Sequence, residues 1–489
     1  VIGFPIRWRL LPAQIGVVLT FALFPLWLRL PQIGVFTPLY VTRFAVFVAM
    51  IATIGAWIMG GAPGLASLRR GDGVGGKWRR AWAICLLALA AWAAFSTQWA
   101  FIRYRDPTVA GSAALGLCVV ALFAVVVACT ASPRMVIAAL ACGVVWSAPI
   151  VIVQAMQQSW LGLRLLGEFP FHADMTGISI LRAGDLLYVR PYGLMPHPNA
   201  AAGALMVGVL AAAALLFAHG SRLRLLGVGL VTLGVTALLL TFSRAAWIGA
   251  AAGGAAGMWL LGRLAWRRRD LRWGIVLCVV LVGIVGVIWL AAYRPFVAAR
   301  ALGESASDGG QESVELRSVA DRIVFTDFAL RSIRERPILG VGMGNFPWRA
   351  SYYIADTFYD LRGDNVHHIY LSAWAELGGV GLILFVGALI GGIGAAWRAI
   401  RADKAAAAGG SAVQSDEGRT AAQIAYRVGL VAAVIAFAAV GWFDHYPWTL
   451  LPFQMGLWGC VAAGASIAGT ASDHGRSYSS NSTPPVLRG

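Results

Sequence analysis

Residues 364–381 read Asp-Asn-Val-His-His-Ile-Tyr-Leu-Ser-Ala-Trp-Ala-Glu-Leu-Gly-Gly-Val-Gly. A polar head with the paired histidines His367 and His368 runs straight into the apolar run Ile369–Trp397. That run is long enough to cross a bilayer as one helix, so the histidines fall where the membrane meets water. Glu376 lies about two turns further in, where an ionisable group is costly and usually has a partner or a job. Two readings compete. In one, the histidines anchor the helix at the interface and Glu376 is a polar contact between helices. In the other, they belong to a site that handles protons at the membrane surface.

Outward from this stretch the whole chain has the same character. Of 489 residues 59% are hydrophobic and only 12% charged, and mean hydropathy is +0.73. This composition belongs to the membrane class rather than to a string of soluble domains. The 20 tryptophans suit aromatic belts at the two interfaces. Net charge is +17, but the excess sits mainly in short loops between apolar runs, as positive-inside topology produces. No basic face with interleaved aromatics stands out, which argues against a nucleic-acid partner. All six cysteines fall inside apolar spans, with neither a disulfide framework nor a zinc spacing.

Hydropathy predicts twelve spans with both ends cytoplasmic. The first covers about Leu10–Leu28, the second ends near Met59, and Gly60–Arg80 follows as a basic cytoplasmic loop. Spans three to five are Ala81–Phe101, Val109–Cys129 and Met135–Met156. The short loop with Arg103 and Arg105 then falls outside, against the rule. Segment 157–199 is extracytoplasmic, with Trp160, Leu161, Leu163, Leu165, Leu166 and Phe169 suggesting a piece lying in the interface. It ends on Asn199, read as the N-cap of span six.

Arg263, Arg267, Arg268, Arg269 and Arg272 mark the cytoplasm before span nine, Trp273–Tyr293. Segment 294–368 is the longest outer loop. In it a helix is predicted from Ser318, with a Ser318/Asp321 capping box and Val319, Ile323, Val324, Phe328 and Ile333 on one face, stopped by Pro337. The Gly-x-Gly-x-Gly run in 339–346 follows no readable strand, so a dinucleotide site is improbable and a tight turn is expected. The fold expected is all-α, one polytopic domain over 1–469 with a disordered cytoplasmic tail, 470–489.

This topology collects Arg190, Arg244, Arg322, His367 and Asp444 on one side of the membrane. A secondary transporter binds near the midplane; here the polar groups gather at the outer boundary instead. Arginines there have an ordinary role, snorkelling to phospholipid phosphates. As planar forks they also bind diphosphate bidentately. Histidine, with an unperturbed pKa near ~6.5, can accept a proton from a hydroxyl. Asp364, His367 and His368 could superficially offer three metal ligands, but adjacent histidines rarely converge on one ion, and no metal or cofactor is expected.

The pattern His367-x-x-Tyr370-Leu371-x-x-x-x-Glu376-x-Gly378-x-x-Gly381 resembles the signature of the O-antigen ligase and polymerase superfamily. Family members commonly carry Asn after the first histidine, where this chain has His368. Arg190-Pro-Tyr-Gly…Pro198-Asn199, Thr241-Phe-Ser-Arg244 and Arg336-Pro-Ile-Leu-Gly-Val-Gly-Met-Gly-Asn-Phe346 resemble further family motifs, in family order, over roughly residues 185–385. The resemblance implies a GT-C-like glycosyltransferase of the bacterial inner membrane, with its active site facing the periplasm. Its donor would be undecaprenyl-diphosphate-linked O-antigen, its acceptor a lipid A–core sugar, and its reaction inverting and metal-independent. In that scheme His367, or else His368, is the general base. Arg190, Arg244 and Arg322 bind the diphosphate, and Glu376, Tyr370, Asn199 and Asp444 support them. An O-antigen polymerase, a protein O-oligosaccharyltransferase and a lipid-linked-glycan transporter are the alternatives.

Overall fold

A computed structural model describes residues 6–27, 65–71, 75–175, 177–217, 221–265, 269–302, 314–355, 364–409 and 414–466. The second predicted span and the 470–489 tail lie outside these residues. The chain runs α1 (Ile6–Ala22), α2 (Leu65–Arg70), α3 (Gly76–Ser96), α4 (Pro107–Thr130) and α5 (Pro133–Gln157). A hairpin follows, β1 (Ile180–Ala183) and β2 (Leu186–Val189), then α6 (Pro198–Leu215), α7 (Ser221–Leu240), α8 (Arg244–Ala265) and α9 (Arg269–Ala292). The remainder is α10 (Arg294–Leu302), α11 (Val314–Glu335), α12 (Phe346–Ala355), α13 (Ile369–Gly409), α14 (Gln414–Val440), α15 (Tyr446–Thr449) and α16 (Leu451–Gly464).

Among the described residues nine helices are long and apolar enough to span a bilayer, so this is a multi-pass membrane protein. They coincide with predicted spans three to eleven. Span one appears as a shorter apolar helix, Leu10–Ala22, and span twelve as the 14-residue α16. The innermost helix is α6, buried nearly all round, because its Ala and Gly side chains let neighbours approach closely. It packs against α5, α7 and α14, while α13 lies along α3 and α16 packs on α4. By contrast α9 buries little of its apolar surface within the chain, as a lipid-facing helix does.

Two expectations need correction. The fold is not purely helical. β1 and β2 pair antiparallel with Ile180 opposite Val189, joined by Gly184-Asp185 with Gly184 at φ +58°. A two-residue loop beginning with Gly is what such a hairpin needs, and that signal was present in the sequence. The long-loop helix also begins earlier than Ser318, at Val314, so the Ser318/Asp321 pair lies inside it rather than at its start. Its buried face is Phe325, Phe328, Ala329 and Ile333, with Val324 alongside, whereas Ile323 is exposed.

The kink in α13 organises the loop that precedes it. Gly378 sits at φ +68° and ψ −174°, which breaks the ladder and frees carbonyls one turn before it. Ala375 O accepts from Val341 N (3.0 Å) and Glu376 O from Gly342 N (2.8 Å). Leu377 O accepts from Trp92 Nε1 (2.8 Å). Gly340, Gly342 and Gly344 all have positive φ, and a Cβ on Gly342 would meet the Ala100 backbone at 2.8 Å. The kink lies roughly 14 Å along the helix from its start at 1.5 Å per residue. Irregular backbone is tolerated at such depth only when protein covers it, as the 97–106 loop does here. Phe101 N donates to Val341 O (2.9 Å) and Ile102 N to Asn345 Oδ1 (3.2 Å).

Candidate active site

The start of α13 and the end of α14 are tied by Ile369 N donating to Gly441 O at 2.7 Å. This brings the histidine pair beside residues 441–445. The two histidines then take different positions. His368 Nδ1 accepts from Leu371 N at 3.2 Å, so its ring caps the first turn of α13. The ring also packs edge-on to Trp442, centroids 4.7 Å apart, and burial pushes its pKa down.

His367 faces the other way. Its Nδ1 lies 3.6 Å from Asp444 Oδ1, within ion-pair range but longer than a hydrogen bond. Asp444 Oδ1 also accepts from His445 N (2.8 Å), and Oδ2 accepts from Asn199 Nδ2 (2.9 Å). Asn199 Oδ1 in turn accepts from an Arg190 terminal nitrogen at 2.7 Å. Burial alone would raise the Asp444 pKa, but the His367 ring beside it and the nearby His445 and His197 rings outweigh burial, and the carboxyl is held below the ordinary range. Asp444 is therefore an anion at neutral pH, aimed at one nitrogen of His367.

The remaining predicted residues fall in three places. Arg190 is buried and committed to the protein. Nε donates to Thr241 O (2.7 Å), one terminal nitrogen to Ser179 Oγ (2.9 Å) and the other to Asn199. The hairpin sets this up, because Arg190 N continues its ladder to Ser179 O (3.0 Å) and Tyr188 OH donates to Leu240 O (2.8 Å). Asn199 is in the first turn of α6 rather than its N-cap. The cap is His197, whose Nδ1 accepts from Asn199 N.

Arg322 lies on the face of α11 that also carries Phe325, and its charge acts on the His445 ring. Its Nε is buried with no hydrogen-bond partner among the described residues, a costly state unless something else supplies an acceptor. Arg244 opens α8, exposed, with a terminal nitrogen donating to Arg300 O at 3.2 Å.

Glu376 and Tyr370 take other hydrogen-bond partners. Glu376 accepts from Trp448 Nε1 (2.8 Å) and from the backbone of Gly344 and Phe346, so it fastens the glycine loop to the kink. Tyr370 OH donates to Ala438 O (3.1 Å). Sequence reasoning assigned no role to Ser179, His445 or Trp448. His445 stood in the predicted outer turn beside Asp444, and its ring centroid is 4.9 Å from that of His367. Among the described residues Asp364, His367 and His445 are the group whose ligand atoms could hold a metal ion, all within 4.8 Å of one another.

Chemically, the cluster can take a proton on His367 with Asp444 stabilising the imidazolium, beside a cationic group whose Nε has no acceptor among the described residues. Comparison with curated proteins gives no match. Residues 228–386 match the family model described as O-antigen ligase, a stretch holding Thr241–Arg244, Arg322, the glycine loop, both histidines and Glu376. The match spans less than half of the chain, and it makes this stretch similar to O-antigen ligases.

Proposed function

We propose that the protein is an O-antigen ligase of the bacterial inner membrane, working at the periplasmic face. It transfers a glycan from undecaprenyl diphosphate to a hydroxyl of a lipid A–core sugar, with inversion and without a required metal. The observation that carries this reading is the polar chain Arg190–Asn199–Asp444–His367, set at one end of an apolar bundle. A substrate with its tail in lipid and its head in water meets the protein there. Facing that end towards the periplasm puts the loops with Arg222, Arg224 and Arg263–Arg272 in the cytoplasm, in keeping with the positive-inside rule.

In this reading His367 removes the acceptor hydroxyl proton as the oxygen attacks the anomeric carbon. A new C–O bond forms on the face opposite the breaking bond to phosphate, and undecaprenyl diphosphate leaves with the electron pair. Asp444 fixes the ring and stabilises the imidazolium, as a buried carboxylate does for a histidine base. Arg322, whose Nε has no acceptor among the described residues, and exposed Arg244 offer charge to the leaving diphosphate. Arg190 contributes by holding Asn199 and through it Asp444.

The test is the lipopolysaccharide gel pattern of a deletion strain complemented with wild type or with His367→Ala. Loss of all attached O-antigen in the deletion and the variant, with the ladder restored by wild type, is expected. Core bearing a single repeat would instead make the protein a polymerase.

A further inference from the structure

The two imidazoles of the cluster are arranged as ligands are. Each has a polar group near its Nδ1: Asp444 Oδ1 stands 3.6 Å from that atom of His367, within ion-pair range, and Thr449 Oγ1 stands 2.8 Å from that atom of His445, within hydrogen-bond range. Each ring therefore has Nε2 to offer. A carboxylate or hydroxyl on the far nitrogen is the usual support of a metal-binding histidine, since it sets the tautomer and raises the basicity of the ligating nitrogen. Asp364 completes the set: one ring nitrogen of each histidine and one oxygen of its carboxylate lie within 4.8 Å of one another.

Ligand atoms around a tetrahedral zinc at about 2.0–2.1 Å stand roughly 3.3 Å apart. Closing the gap needs movement on the order of 1–1.5 Å, and exposed Asp364 can supply much of it by side-chain rotation. Two imidazoles and one carboxylate suit zinc better than magnesium or calcium, which favour all-oxygen shells.

We propose that Asp364, His367 and His445 form a three-ligand site for a divalent transition ion, best suited to zinc, and that the bound ion inhibits transfer by occupying the nitrogen of His367 that takes the proton. The inhibitory consequence rests on His367 being the base; the metal site rests on the geometry alone.

The test uses the untagged full-length protein in nanodiscs, stripped with EDTA. Zn²⁺ is titrated calorimetrically, Co²⁺ reports ligand geometry by its visible spectrum, and single-turnover transfer is followed in parallel. Expected are full activity in EDTA, saturation at one equivalent of zinc, loss of transfer along the same titration, and recovery when EDTA is returned. Asp364→Asn, which removes no proton-handling group, should weaken zinc and its inhibition while leaving transfer in EDTA unaltered. Thr449→Val should weaken zinc about 10–100-fold, as loss of a support for a ligating histidine does. Absence of saturable binding, or binding unchanged in both variants, would overturn the site. Specific binding with transfer untouched would overturn the inhibition. If His367→Ala kept transfer while zinc behaved as expected, the reading of His367 as base would fall and the metal site would stand.

Discussion

Both ends of the bundle bury an arginine, and they use it differently. At the basic end Arg427 is 1% exposed, and its Nε meets Asp403 Oδ2 at 2.8 Å. A terminal nitrogen of the same guanidinium donates to Gly464 O and Ser466 O at 2.8 and 2.9 Å. Donor and carboxylate close on each other, which ties α13, α14 and the end of α16 together. At the site end Arg190 reaches Thr241 O, Ser179 Oγ and Asn199 Oδ1. The carboxylate comes one residue further on, and Asp444 keeps an oxygen towards His367. One network closes on its own carboxylate; the other leaves a carboxylate oxygen towards an imidazole. Burial of the arginine alone does not separate the two.

The sharpest way to break this comparison is to remove the end of the open chain. His367→Ala should lower single-turnover transfer by about 10²–10⁴-fold, the range for loss of a general base, with donor binding nearly intact. If donor binding vanished while transfer per bound donor stayed normal, His367 would be a binding residue.

Next come the two carboxylates. Asp403→Asn leaves a buried guanidinium poorly compensated and should cost stability, by about 3–5 kcal/mol if the pair behaves as buried pairs do. Transfer per folded molecule should be unchanged. Asp444→Asn should do the reverse, lowering transfer with a smaller loss of thermal stability. Equal stability losses, with no selective loss of transfer, would mean that both networks are structural.

The smallest effects separate the arginines. Arg322→Lys keeps the charge but loses the fork, so transfer should fall more than donor binding does. Arg190→Lys should lower transfer through a displaced Asp444, and a shifted pH–rate profile would mark that route. If Arg190→Lys weakened donor binding and left the profile alone, Arg190 would touch the diphosphate directly.

Composition and the length of the apolar runs determined the membrane class and the positions of most spans, because a lipid-crossing helix is specified by local hydropathy alone. The motifs with His367, Thr241–Arg244 and Arg336–Phe346 were likewise legible, since a short pattern needs no partner to be read. The hairpin was legible in principle from Gly184-Asp185, but its brevity hid it among apolar residues. Tertiary structure decided which histidine lies beside Asp444, because the Nδ1 of His368 is taken by Leu371 N. It also assigned Glu376 to the glycine loop and committed Arg190 to Asn199 and Thr241. These choices turn on hydrogen bonds between residues far apart in the chain, Asn199 to Asp444 among them. The spacing of residues along one helix carries no record of such partners.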